Sequence, residues 1–398
     1  MLTPQRVPVT RLWLAVLFGY LALGATLQEL PSYLVGRFHA GPLTVGLTIG
    51  LSFAGTAVAR PFAGRAGDSG RSRAVACAGA TLTAGAAAGH LLAPDIRWLL
   101  VARVLMGVGE AALFSGSLPW VLAAIEPARA GRLAGWFGLS MWGGLSAGPL
   151  LAVAARSLGG ATAVWALVIA LPAVSTALIA STRTPAALSA PPSRPYQWRD
   201  LVPAGVGAPG MILGLAAYGY GTLAALLVLF LGTRGLGGQS LGLVVFSVAF
   251  LLTRAGGSPL VDRHGGQTVA RTVLLIEAAG LALLATATSQ AAALIAVAVT
   301  GIGLGVVYPA ATKITLGRTA SSTAGAAMGA MTSMWDIGIL VAGPLGGLVT
   351  SYAGFRTAFW IATAAALASF ALTTAHHTGI SHAGSGQLPD PQSQTREK

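Results

Sequence analysis

Long apolar stretches alternate along this chain with short breaks that are polar or carry glycine and proline. The stretches fall at about 12–36, 43–63, 74–93, 98–125, 133–155 and 161–181, then at about 204–232, 240–261, 268–288, 291–316, 324–350 and 355–376. Each approaches or exceeds the roughly 20 apolar residues that a helix needs to cross a bilayer. The pattern therefore predicts an all-α membrane protein of twelve transmembrane helices in two groups of six. Between the groups, Ser181 to Asp200 is polar, basic and rich in proline, as a linker would be. The expected organisation is a first six-helix half over 1–181, a cytoplasmic linker over 182–202 and a second half over 203–376. A tail over 377–398, rich in Gly, Ser and Gln, is expected to be disordered.

Composition agrees with lipid as the solvent. The 398 residues are 54% hydrophobic and 9% charged, with a mean hydropathy of +0.73. A soluble domain carries about 25% charged residues. A net charge of +13 would fit a nucleic-acid binder, but the basic residues lie in small groups between apolar runs. With the N-terminus inside, 16 of the 24 basic residues fall on the inner side and 5 on the outer, while Arg60, Arg103 and Arg254 lie within helices or at their ends. That bias predicts cytoplasmic termini. Only Lys313 and Lys398 are lysines, a skew that, with 54 glycines, matches a GC-rich bacterial genome. Cys77 stands alone, which excludes an internal disulfide. No cleavage site follows the N-terminal arginines, so this segment reads as the retained start of the first helix.

The two groups repeat one another. Arg60 and Asp68 recur as Arg254 and Asp262, and Gly107 and Gly109 as Gly301 and Gly303, each 194 positions on. Gly148-Pro149 recurs as Gly343-Pro344. Repeats in register in a loop and in two helices predict parallel halves related by an axis along the membrane normal.

After the second helix the chain reads Arg60-Pro-Phe-Ala-Gly64-Arg-Ala-Gly-Asp68-Ser-Gly70-Arg71, and after the eighth Arg254-Ala-Gly-Gly-Ser258-Pro-Leu-Val-Asp262-Arg263-His-Gly265. Glycines permit tight turns, and each aspartate can cap a helix or pair with an arginine. The two segments resemble the signature loop between helices two and three of the major facilitator superfamily and its weaker second copy. The first departs from the family pattern where Ser69 leads directly to Gly70, the second where Ser258 replaces the leading glycine. The expectation is a cytoplasmic latch built from Arg60, Gly64, Asp68, Arg71, Arg254, Asp262 and Arg263. The resemblance covers about residues 11–376 and implies a monomeric transporter.

Arg103-Val-Leu-Met-Gly107-Val-Gly109-Glu110 resembles the family's arginine-centred motif on the fourth helix, which is linked to proton movement in proton-coupled members. A charge at the bilayer centre costs on the order of 2.5–3.5 kcal/mol even on the milder scale. Glu29, Arg103 and Glu110 are therefore expected to pair or to face a cavity. Glu29 lies at a depth where it can meet Arg103, and the three are the candidate proton-coupling set. Val297 and Leu304 occupy the equivalent places of the second half, so charge handling is assigned to the first half. The Gly148-Pro149 pair resembles the motif that proton-driven exporters carry on the fifth helix, and with Gly343 and Pro344 it forms the candidate helix hinge.

Asp336 beside Trp335, with Tyr218, Tyr220 and Tyr308, makes the candidate substrate cavity, because a buried acid and aromatic rings suit an amphipathic or cationic ligand. Glu277 is assigned a structural pair or a snorkelling role. The tail histidines 376, 377 and 382 are expected to be solvated, with no metal bound. No phosphate loop ending in Gly-Lys-Ser/Thr occurs, and no nucleophile set has a soluble pocket. The expected protein is no enzyme and needs no cofactor beyond a proton gradient, and its partners are a small molecule, protons and lipid. The functional expectation is export of a drug or metabolite by proton antiport in the bacterial inner membrane. The alternatives are proton-coupled import of a sugar or organic acid, a passive channel, and a non-transporting membrane sensor.

Overall fold

The computed structural model describes residues 8–122, 127–182, 204–233, 235–319 and 324–383. Among these the chain is helical, with no strand. The first half contributes α1 (Val9–Phe38), α2 (Pro42–Ala66), α3 (Ser72–Leu92), α4 (Ile96–Leu122), α5 (127–158) and α6 (161–180). The second contributes α7 (Gly207–Thr233), α8 (Gln239–His264), α9 (Gly266–Thr286), α10 (Gln290–Leu316), α11 (324–353) and α12 (355–383). The expected linker falls almost wholly outside the described residues. The last helix runs past position 376 to Ala383.

Helices α5 and α6 follow one another with almost no loop, as do α11 and α12. Gly160 (φ 65°) and Gly354 (φ 81°) make these turns in a region that favours glycine. Their positions are again 194 apart, so the repeat extends to the turns. Between α2 and α3 the chain passes through a π-helical turn, Gly67–Arg71, closed by Gly70 at φ 82°.

Small residues set how closely the helices approach. In the first half α5 lies on α1: a Cβ on Gly144 would come within 2.7 Å of Leu17 O, and one on Gly148 would meet the backbone of Gly24 and Ala25. Across the halves α2 meets α11. Gly46 and Gly343 approach so closely that a Cβ on either would strike the other's carbonyl, and a Cβ on Gly50 would come within 2.8 Å of Leu340 O. Nearer the end, Gly347 packs on Pro42. The Gln28 side chain adds a tie to α8 by donating to the Gln239 carbonyl at 3.2 Å. All these cross-half contacts lie toward the end of the bundle opposite the chain termini.

The other end differs. Gly64 lies one turn beyond Arg60, Gly138 one turn before Trp142, and Gly329 on the face of α11 that carries Asp336. An added Cβ on any of the three meets nothing within 4 Å. Among the described residues, the halves meet closely at the end away from the termini and leave space around these three glycines at the end that bears them.

Candidate functional site

Where the closed end gives way to the open one, two clefts lie side by side between the halves. Both are narrow, with room for little more than a water molecule each, and they share Trp142, Leu145 and Trp335.

One cleft carries charge. Arg60 of α2 reaches across to α11, where its Nε donates to Asp336 Oδ2 at 2.5 Å and its Nη2 to Oδ1 at 3.5 Å. Both partners are sealed from solvent, at 8% and 1% exposure. Glu110 of α4 lines the same cleft and is fully buried. Neither of its carboxylate oxygens has a hydrogen-bond donor among the described residues. Tyr20 of α1 donates to the Glu110 main-chain carbonyl at 3.3 Å. One guanidinium thus stands in a cleft with two acids, one from each half.

The other cleft carries rings. Trp142 (α5), Trp335 (α11), Tyr220 (α7), Phe246 and Phe250 (α8) touch in a closed circuit, with centroid separations of 5.0–5.9 Å from each ring to the next. On the same tryptophan, Arg254 of α8 lies over the Trp142 ring at 5.1 Å and over that of Tyr308 at 5.4 Å, at 8% exposure. The Tyr308 hydroxyl shares a hydrogen bond with Thr332 Oγ1 at 2.9 Å.

Several expectations need correction. Arg60 and Arg254 do not belong to a latch at the bundle end, because α2 and α8 continue for one to three turns beyond them and both side chains are buried inside. Asp262 is exposed and faces Lys313 at 3.7 Å, and Lys313 Nζ also donates to the Val261 and Asp262 carbonyls. That arrangement ties α8 to α10 within one half. Arg71 and Arg263 are exposed, Gly64 is partly exposed, and the side chain of Asp68 lies outside the described residues. Arg103 does not meet Glu29. It donates to the Thr48 and Ile49 carbonyls of α2, while Glu29 pairs with Arg156 at the far end of α5. Arg156 is one of the five basic residues that the sequence places on the outer side, and the nearly buried Glu29 requires such a cation nearby.

Asp336, Trp335 and Tyr220 line the clefts, whereas Tyr218 is buried outside both. Gly148 packs within the first half and Gly343 between the halves, and both prolines lie inside continuous helix. Glu277 does not snorkel. It is fully buried, its oxygens lack a hydrogen-bond partner among the described residues, and it abuts Gly219 and Gly303. Phe246 and Phe250 carry no motif that singles them out, and only the fold brings them to the cleft.

Comparison with known proteins agrees with this architecture. The family model of the Major Facilitator Superfamily matches residues 12–258 and 211–390. A protein of Salmonella typhimurium named as an uncharacterized MFS-type transporter is 30% identical over 92% of this chain and 96% of its own. YhhS of Escherichia coli, named likewise, is 32% identical over 84% of each. Among solved structures, a bacterial homologue of the human lysosomal transporter Spinster, inward-facing and unoccupied, superposes with a TM-score of 0.75 at 14% identity, covering 96% of this chain and 98% of that one. The human organic anion transporter MFSD10 gives 0.72 at 18% identity, covering 93% and 100%.

Proposed function

The chain belongs to the major facilitator superfamily, and on that premise we propose that it exports a small organic compound by proton antiport from the bacterial cytoplasm, with both termini inside. The observation that carries the reading is the cross-half pair Arg60–Asp336 in a cleft that also holds the buried Glu110. When Glu110 is protonated, Arg60 is left wholly to Asp336. When it is ionised, its charge acts on Arg103 and also on Arg60, which it draws from Asp336, and the tie between the halves weakens. Proton occupancy of Glu110 thereby biases a pair that stands at the depth where the closed end meets the open one, which is where rocking halves pivot. Arg103, bonded to main-chain carbonyls, serves as a brace between α4 and α2, and Glu29 with Arg156 as a tie between α1 and α5.

The test is a dye-quench assay in everted vesicles with an acid interior and a panel of candidate compounds. Wild type is expected to release protons when a substrate is added, and Glu110→Gln to lose at least about 90% of that response, a loss of about 1.4 kcal/mol in coupling. Glu29→Gln is expected to retain most of it. A response lost in Glu29→Gln and kept in Glu110→Gln would return the proton to the α1 acid. Compound-driven uptake into intact cells, with no response in vesicles, would turn the reading to import.

A further inference from the structure

Charge and aromatic surface are segregated between the two clefts. No charged side chain lines the aromatic cleft, whose remaining walls are Leu27, Leu145, Pro149 and Leu243 with the hydroxyls of Ser146 and Ser247. Five rings close around it, stacked in places, with Tyr220 and Trp335 at 28° and Phe246 and Phe250 at 25° between planes.

We propose that this cleft is the substrate site and that it selects a planar aromatic compound without formal charge, carrying a hydroxyl or carbonyl for Ser146 and Ser247. The proposal rests on the export reading and names the substrate class of that site. Three observations weigh against the charged alternatives. Ring faces attract cations, but the Arg254 guanidinium already lies over Trp142, and its charge opposes a second cation at that ring. Of the two acids in the neighbouring cleft, Asp336 is taken by Arg60, and Glu110 does not line the aromatic one. An anion would face the negative faces of the rings and be drawn only to Arg254, which lies behind Trp142 and outside the lining, so that it would lose its hydration with no hydrogen-bond donor from a cation in the cleft to replace it. A flat neutral ring system loses little hydration and gains offset stacking on the circuit.

Four of the five rings come from the second half and only Trp142 from the first. In the closed circuit the rings touch one another and leave room for little more than a water molecule, so the ligand takes its place between Trp142 and the four second-half rings as the halves rock and Trp142 withdraws. Proton and substrate occupy separate clefts joined through Trp142 and Trp335. Exchange of one neutral molecule for one proton moves one positive charge across the membrane.

The test uses one scaffold in three forms: naphthalene bearing a hydroxymethyl, a trimethylammoniomethyl or a carboxylate group. Binding to the purified full-length protein is read by quenching of tryptophan fluorescence, and transport by the vesicle assay. The neutral form is expected to bind at least about tenfold more tightly than either ion. Phe250→Leu should weaken the neutral form about tenfold, and Arg254→Gln should narrow the gap between neutral and cationic forms, a change of selectivity that a folding defect would not produce. Tighter binding of the cation or the anion, or binding of none of the three, overturns the proposal. Because the binding arm needs no gradient, neutral binding without proton movement leaves this assignment standing and removes antiport. Proton-coupled transport of the cation alone does the reverse.

Discussion

Asp336→Asn is expected to destabilise the protein by about 3–5 kcal/mol, because it leaves the Arg60 guanidinium buried without its counter-charge. Arg60→Gln should cost a comparable amount for the mirror-image reason. The double variant Arg60→Gln/Asp336→Asn places two neutral amides side by side, and replacing a buried ion pair by neutral groups is often close to neutral. Its thermal unfolding in detergent is therefore expected within about 1 kcal/mol of wild type, while export stays abolished. Stability and function are thus separated in one double-mutant cycle. Single variants that unfold with wild type would mean that water reaches the pair and that it holds nothing together.

Gly343→Val is expected to prevent closure of the end away from the termini. A side chain there would drive into the Gly46 carbonyl, and the approach of α2 to α11 leaves no flexible neighbour to yield. Overpacking costs about 1–3 kcal/mol, enough to move a two-state balance about 5- to 150-fold. The measurement is labelling of Leu27→Cys, on the wall of the aromatic cleft, by an impermeant maleimide applied to intact cells in a Cys77→Ser background. Labelling should rise about tenfold with Gly343→Val and export should fall to a similar degree. Gly148→Val is the control. Gly148 packs on Gly24 inside the first half, so its substitution should lower stability without opening the far end. Equal labelling in the two variants would show that the Gly46–Gly343 contact does not govern closure.

The repeats make clear how far the chain alone can be read. Gly148-Pro149 and Gly343-Pro344 look alike in sequence, yet one packs inside a half and the other seals two halves together. Equivalent positions in a pseudo-symmetric pair need not have equivalent neighbours, because each helix faces its own half on one side and the other half on the second. Arg60 and Arg254 are likewise matched in sequence. One finds a carboxylate in Asp336 and the other two aromatic faces, since the acid on α11 has no copy in the first half. Reading both as parts of a surface latch followed from their closeness to Asp68 and Asp262. That reading overlooked that a helix turns the positions of one turn through a full circle, so neighbours in sequence separate into interior and surface.

The sequence by itself determined the solvent, the number of spans, the division into related halves and the family, because these depend on run length, hydropathy and register, which are local or periodic properties of the chain. It also marked Glu110, Asp336, Trp335 and Tyr220 as buried groups that call for explanation, since charge and polarity in hydrocarbon are costly wherever they fall. Only the tertiary structure decided which charge meets which. The partners Arg60 and Asp336, Glu29 and Arg156, and the five rings of the aromatic cleft lie on helices far apart in the chain, and their meeting depends on helix rotation and on how closely glycines let the backbones approach. Those are properties of packing between segments, and no spacing within a segment encodes them.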